Sequence, residues 1–290
     1  MGTPRAGVEI DGAIFDIEAT GWSFDGEPPT ILSILERGLS APSAVFELAE
    51  RARDRGDIPA VATDLADLAP PIMNPRKIFC LGVNYPGHIE EAGMSLPEYP
   101  VVFAKWVNAL SGPRDPIVVN GASEMVDWEG ELVAVIGRRC RAAAADDALA
   151  NVAGYCVFND VSARDIQLRG GQWSLGKSLD GFGPLGPGIT PLDLIKDPTG
   201  LDMTTRLNGD VVQKDNTRSM VFGVPEAIAY ISSFITLEPG DLIATGTPAG
   251  VGVYLTPQRF LTEGDVIEVE IEGLGTISNA VVSANVSAPR

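Results

Sequence analysis

Three acidic residues set in two apolar stretches carry the strongest chemical signal in this sequence. Glu129 and Glu131 lie in Val126-Asp127-Trp128-Glu129-Gly130-Glu131-Leu132-Val133-Ala134-Val135-Ile136. Asp160 ends the run Tyr155-Cys156-Val157-Phe158-Asn159-Asp160. The residues after Glu131 are apolar and β-branched, so they read as a buried strand. Alternate residues of a strand share a face, which points Glu129 and Glu131 together, about 7 Å apart at the backbone. Two like charges beside an apolar run repel each other, and each loses solvation. A divalent cation removes that cost, and a third carboxylate from a neighbouring strand completes the set. Oxygen ligands alone suit Mg2+ or Mn2+, with Ca2+ as a further hard cation.

A short acidic alternation is often only a solvent-facing strand. Ile267-Glu268-Val269-Glu270-Ile271-Glu272 has that form, apolar on one face and acidic on the other. The first pair differs in its company, because Arg164, Gln167 and Lys177 follow Asp160 closely. Carboxylates with an arginine, a glutamine and a lysine nearby form a site for a cation and an anionic ligand together.

His88 is the single histidine of the chain. A lone histidine more often fills a structural or surface place than a catalytic one. Here it lies in a Gly/Pro-rich segment with Glu91 three residues on. At that spacing a carboxylate can hold the imidazole tautomer and raise its basicity. Such a pair can activate water. Pro86 to Pro97 has the composition of a loop able to close over a site.

The elements that must position these residues are mostly strands. Gly 32 and Pro 22, spread along 290 residues, favour a turn-rich β fold over a helix bundle. The expected class is α+β, mostly β. Residues 1–72 read as a small N-terminal α/β domain and residues 73–290 as the catalytic domain. In the first, Asp11-Gly12 turns a hairpin between Val8 and Ile17. Thr30 caps a short helix that Gly38 ends, and a second helix runs from about Ser43 to Arg55. The Pro-rich stretch Leu68 to Pro75 is the connector. Beyond it, strands are expected at 77–83, 100–105, 204–212 (a hairpin with an Asn-Gly turn), 241–245 and 265–269. Helices are expected near 143–152 and 225–234.

The net charge of −18, from 21 basic and 39 acidic residues, argues against nucleic acid or an anionic membrane as partner. It also means that an anionic substrate needs a local positive centre. Cys80, Cys140 and Cys156 show no CxxC spacing and read as reduced thiols of a cytoplasmic protein. No signal pattern opens the chain, and no apolar run reaches the length of a membrane span.

Several separated motifs, in one order, resemble the fumarylacetoacetate hydrolase family over about residues 77 to 283. They are Gly82-Val83-Asn84-Tyr85-Pro86-Gly87-His88, Asp127-Trp128-Glu129-Gly130-Glu131-Leu132, Asn159-Asp160-Val161-Ser162-Ala163-Arg164-Asp165-Ile166-Gln167, Lys177-Ser178-Leu179-Asp180-Gly181-Phe182-Gly183 and Thr245-Gly246-Thr247-Pro248-Ala249-Gly250. The resemblance implies a β-roll catalytic domain and a homodimer, with a divalent metal on Glu129, Glu131 and Asp160. It implies a 2-oxo or 2,4-dioxo acid as the small-molecule substrate. Arg164, Gln167, Lys105 and Thr247 match substrate-binding positions, Thr247 at the substrate carboxylate. Lys177 lines the substrate site and joins His88 and Glu91, a dyad on a mobile lid, as the catalytic set.

The sequence departs from the family's commonest pattern at Gly87, Trp128 and Trp106, which bears on the substrate rather than the metal. The reaction this implies is hydrolysis of a C–C bond in acylpyruvate- or fumarylpyruvate-type acids, in aromatic or sugar-acid catabolism. His88 would deprotonate the attacking water, and the cation with Lys177 would stabilise the enolate that leaves. Isomerisation of an unsaturated dioic acid (the 2-hydroxyhepta-2,4-diene-1,7-dioate type) and decarboxylation of oxaloacetate are the alternatives. A non-catalytic ligand-binding homologue is a rival from another class.

Overall fold

The computed structural model describes residues 4–38, 42–58, 60–62, 67–119 and 121–284. A seven-stranded sheet runs Val101–Ala104, Ile78–Gly82, Leu242–Ala244, Gly130–Ile136, Val152–Asn159, Gly183–Pro191, Leu110–Ser111 from edge to edge. A five-stranded sheet runs Asp210–Asn216, Asp202–Leu207, Val266–Ile271, Gly275–Ser283, Ile117–Val119. Both sheets are mainly antiparallel, and helices are few and short, which gives the expected α+β, mostly β class.

The central Gly130–Ile136 strand is buried at every residue. Its lack of alternation follows from having a core on each face. Leu132, Ala134 and Ile136 join Tyr155, Val157, Val269, Ile271 and Ile277, under the Val224–Phe234 helix. Val133 and Val135 join Cys80, Cys156, Phe158, Leu242 and Ala244 on the other side. A continuous apolar run flanked by acids is therefore the sequence form of a wall shared by two cores.

The N-terminal hairpin pairs Gly7–Ile10 with Ala13–Asp16, and Ala60–Ala62 adds a third strand. Asp11 and Gly12 both take positive φ, the geometry a two-residue hairpin turn needs. Thr30 Oγ1 accepts the Ser33 amide at 3.0 Å, and Ser33 Oγ accepts the Thr30 amide at 2.9 Å, so the cap is reciprocal. The Ile31–Glu36 helix that follows buries Ile34 in the N-terminal core, while Leu35 joins Ile72 beneath the seven-stranded sheet.

The helix expected near 143–152 is a 3-10 helix over 145–151. Its first turn has no side-chain cap, and the chain must enter the Val152–Asn159 strand at once, so only a short, tight helix fits. The segment from Pro86 is not all loop. Pro86–Glu91 is a helix with proline in its first turn, where a missing amide costs nothing. The three cysteines are free thiols, Cys80 and Cys156 buried. Among the described residues no helix is long and apolar enough to cross a membrane.

Candidate active site

Strand register brings the acids together. Phe158 pairs with Glu131 and Asn159 with Gly130, so the next residue of one strand, Asp160, meets Glu129 at the end of the other. The Asp160 amide donates to the Glu129 carbonyl at 2.8 Å, and the Glu129 amide donates to Asn159 Oδ1 at 3.0 Å. Glu129 stands just before the strand rather than within it. Ligand oxygens of Glu129, Glu131 and Asp160 lie within 4.8 Å of one another, and all three side chains are buried. No side chain fits at Gly130, because a Cβ there would lie 2.3 Å from Thr205 Oγ1.

Three cations surround the acids. Lys177 Nζ donates to Glu129 Oε2 at 2.6 Å and to Asp160 Oδ2 at 2.9 Å. Lys105 Nζ donates to Asp160 Oδ1 at 2.5 Å and to the Val161 carbonyl at 3.2 Å. Arg164 Nη1 donates to Glu129 Oε1 at 2.5 Å and to Gln167 Oε1 at 3.0 Å, and its Nε donates to Asp127 Oδ2 at 2.8 Å. Arg164 Nη2 is buried with no partner.

Four buried carboxylates thus face three buried cations, and the shortfall falls on Glu131. It accepts a hydrogen bond from the Gly246 amide at 2.8 Å, and no basic side chain among the described residues forms a salt bridge with it. Burial, then the charges of Asp160 and Glu129, push the Glu131 carboxyl well above its ordinary range. Glu129 goes the other way. Burial alone would raise it, but Lys177 and Arg164 hold it well below. Burial likewise opposes the charge on Lys177, yet Asp160 and Glu129 raise its pKa. An all-oxygen, surplus-negative, desolvated cluster fits a hard divalent cation, which Glu129, Glu131 and Asp160 could hold.

A cavity of about 270 Å³ opens beside this cluster. Of the residues expected at the site, His88, Glu129, Arg164, Gln167, Lys177 and Thr247 line it. Glu91, Glu131, Asp160 and Lys105 are not on its wall. Lys105 braces Asp160 from behind. Thr247 Oγ1 already donates to the Gly130 carbonyl at 2.9 Å and accepts from Gln213 Nε2 at 2.8 Å. His88 Nδ1 lies 2.7 Å from Glu91 Oε1, and Glu91 Oε2 accepts the Gly250 amide at 2.9 Å. The Pro86–Glu91 helix is thereby docked on the 246–250 turn, and Nε2 is the imidazole nitrogen left for the cavity.

Some residues escape sequence reasoning. Asp127 is fully buried and accepts the amides of Trp128, Gly252 and Val253 besides Arg164 Nε. It ties the arginine to the turn that carries the cavity residues Val253 and Tyr254. Its position two before Glu129 was a usable signal, since a strand places both on one face. Gln213 links Gly130, Thr247 and Pro248, and comes from the other sheet without any local signal. Phe103, Trp173 and Tyr254 supply the aromatic part of the wall.

Comparison with known proteins gives the family. The model of the fumarylacetoacetate hydrolase C-terminal domain matches residues 77–282, and the chain belongs to the fumarylacetoacetate hydrolase family. It is 44% identical over 284 residues to the mitochondrial oxaloacetate tautomerase fahd2 of Xenopus laevis, covering 97% of this chain and 86% of the relative. The fumarylacetoacetate hydrolase of Exiguobacterium antarcticum superposes with a TM-score of 0.81 at 36% identity, covering 96% of this chain and 95% of that one. The maleylpyruvate hydrolase of Sphingobium sp. SYK-6, in complex with manganese(II) and pyruvate, superposes with a TM-score of 0.78 at 34% identity, covering 96% of each chain. These relatives are enzymes of small organic acids, and one holds a divalent metal. The frog relative is mitochondrial, so the cytoplasmic expectation does not extend to it.

Proposed function

We propose that the protein is a divalent-metal-dependent enzyme that interconverts the keto and enol forms of a short 2-oxo diacid of the oxaloacetate type. The observation that carries this reading is His88, 2.7 Å from Glu91, on the wall of a cavity also lined by Arg164, whose Nη2 has no partner. The likeness to oxaloacetate tautomerases along almost the whole chain supports it.

A divalent cation on Glu129, Glu131 and Asp160 would supply Lewis acidity to the 2-oxo group. The chain's own residues do the rest. Arg164 Nη2 donates to a substrate carboxylate, which satisfies an otherwise orphaned buried donor. Gln167 accepts from Nη1 and keeps the guanidinium in place. His88 Nε2 takes the proton from C3 and returns it to the 2-oxo oxygen, while Glu91 holds the Nδ1 proton and so fixes the tautomer. Lys177 spends two of its three N–H bonds on Glu129 and Asp160, and the third is available to the developing negative charge. No bond between heavy atoms is made or broken: one proton moves from C3 to the 2-oxo oxygen, and the double bond moves from C2–O to C2–C3.

A second reading keeps the site and changes the substrate. With a 2,4-dioxo acid, His88 would take the proton from water, and the C–C bond would be hydrolysed. The likeness to maleylpyruvate hydrolase supports this reading. Isomerisation and decarboxylation draw on the same enolate chemistry. The division into 1–72 and 73–290, and the homodimer, belong to the same proposal.

The test is to add protein and Mn2+ or Mg2+ to freshly dissolved enol-rich oxaloacetate. Loss of enol absorbance is followed, and keto product is trapped with malate dehydrogenase and NADH. Faster conversion that EDTA abolishes is the expected result. Equal rates with and without protein, alongside rapid cleavage of an acylpyruvate, would replace this reading with the second.

A further inference from the structure

Part of the cavity's aromatic wall, beside the charged cluster, is built around Trp173. The indole is seated on backbone, since a Cβ added at Gly82 would lie 2.3 Å from Trp173 Cζ3 and 3.0 Å from Cη2. The Phe103 ring meets it edge-on, with centroids 5.5 Å apart. Lys177 Nζ stands over the same Phe103 ring, 5.4 Å from its centre. Trp173 also accepts the Lys177 amide at 3.2 Å, as the residue that opens the Ser174–Lys177 helix. Gly82, Phe103, Trp173 and Lys177 all line the cavity.

The ammonium and the indole thus both pack on the one phenyl ring. A substrate anchored by its oxo-acid head at Lys177 and Arg164 would run over Phe103 and meet the Trp173 ring after a few carbon atoms. The indole has little room to retreat, because Gly82 lies beneath it and Phe103 beside it. Edge-to-face packing holds both rings in register.

We infer that Trp173 is the specificity-determining residue that limits the length of the substrate, admitting oxaloacetate-sized 2-oxo acids and turning away those with longer tails. The inference rests on the proposed binding of a 2-oxo acid head at the charged cluster. It adds which end of the cavity sorts substrates and by what means. Steric exclusion by an aromatic wall is a stronger filter than loss of contact, because a rigid ring cannot be compressed, whereas a missing methylene costs only its own burial.

The experiment measures binding apart from turnover. Wild type, Trp173→Ala and Trp173→Phe are loaded with Mn2+, and the rise in melting temperature is titrated with 2-oxobutanoate, 2-oxopentanoate, 2-oxohexanoate and 2-oxooctanoate. Wild type should favour the short acids. Trp173→Ala should raise the affinity for the long acids relative to the short by roughly tenfold, the order of magnitude hydrophobic pockets reach in sorting by size. Trp173→Phe should keep the packing on Phe103 and fall between. The oxaloacetate conversion rate is measured on the same samples. A shifted length profile without conversion would uphold the wall and remove the proposed reaction. Conversion with one length profile for all three proteins would overturn the wall alone. A wild-type protein that binds none of the acids would overturn both.

Discussion

Asp127 Oδ2 and Arg164 Nε, on two buried side chains, lie 2.8 Å apart. This pair sets the direction of the guanidinium. With Nε on Asp127 and Nη1 on Glu129, Nη2 is the guanidinium nitrogen left without a hydrogen-bond partner, in a residue that lines the cavity.

The first prediction follows from that constraint. Asp127→Asn removes one charge of the pair and puts an amide where Arg164 Nε and the Val253 amide both donate. Losing one partner of a buried pair costs about 3–5 kcal/mol. Chemical denaturation should register a loss of that order. In the enzyme that remains folded, KM should rise more than kcat falls, because the carboxylate-binding arm is misdirected while His88 is untouched.

His88→Ala should lower conversion by roughly 10²–10⁴-fold, the usual worth of a positioned base. The rise in melting temperature on adding Mn2+ should survive, since the three acids are intact. Glu91→Gln should give a milder loss. A His88→Ala enzyme at full rate would place the proton transfer elsewhere.

Glu131 gives a prediction with a sign. Folding raises its pKa, so the metal-free fold pays nothing for it below the ordinary carboxyl range. As pH rises above that range, the unfolded chain ionises while the folded site resists. Metal-free protein therefore loses stability with rising pH through this group. Glu131→Gln removes the penalty, and at neutral pH the metal-free variant should melt above metal-free wild type. The gap should close on acidification. With Mn2+ in about hundredfold excess over its Kd, wild type should gain about 2.7 kcal/mol and the variant much less. Calorimetry at two pH values, with and without metal, decides it.

Residues 86–97 should exchange amide hydrogens more slowly when oxalate and Mn2+ are present. Oxalate has the shape of an oxo-acid head, and filling the cavity beneath His88 and Met94 should stabilise the docked helix. Glu91→Ala should abolish that protection by removing the acceptor for Gly250. Equal exchange in all samples would mean that the segment does not respond to ligand.

The acids at 129 and 131 could be read from the sequence because strand period and local composition are short-range facts. Asp160, Arg164, Gln167 and Lys177 are named as their company from nearness in the sequence and from the family motifs, but the contacts themselves are not local. Asp160 meets Glu129 through the pairing register of two strands, and that register is set by cores on both faces, which no local pattern encodes. Lys105 looked like a substrate contact and stands behind Asp160, because its position depends on how an edge strand folds over the sheet. The helix expected near residue 145 is of the 3-10 type, a detail that its pattern does not carry because its end is dictated by the strand that follows. Asp127 was in plain view but offered only one more carboxylate. Its four donors come from three separate parts of the chain.

Glu91 divides its two oxygens between an imidazole and the backbone of a distant turn. Steering the base and anchoring its helix are then one act, done by a single carboxylate. His88 and Glu91 sit three residues apart on one helix, so they form a unit whose inner geometry does not depend on the turn, and the hold on Gly250 is what fixes that unit in place. One substitution at Glu91 therefore takes away two things at once, the tautomer of the imidazole and the tether of its helix.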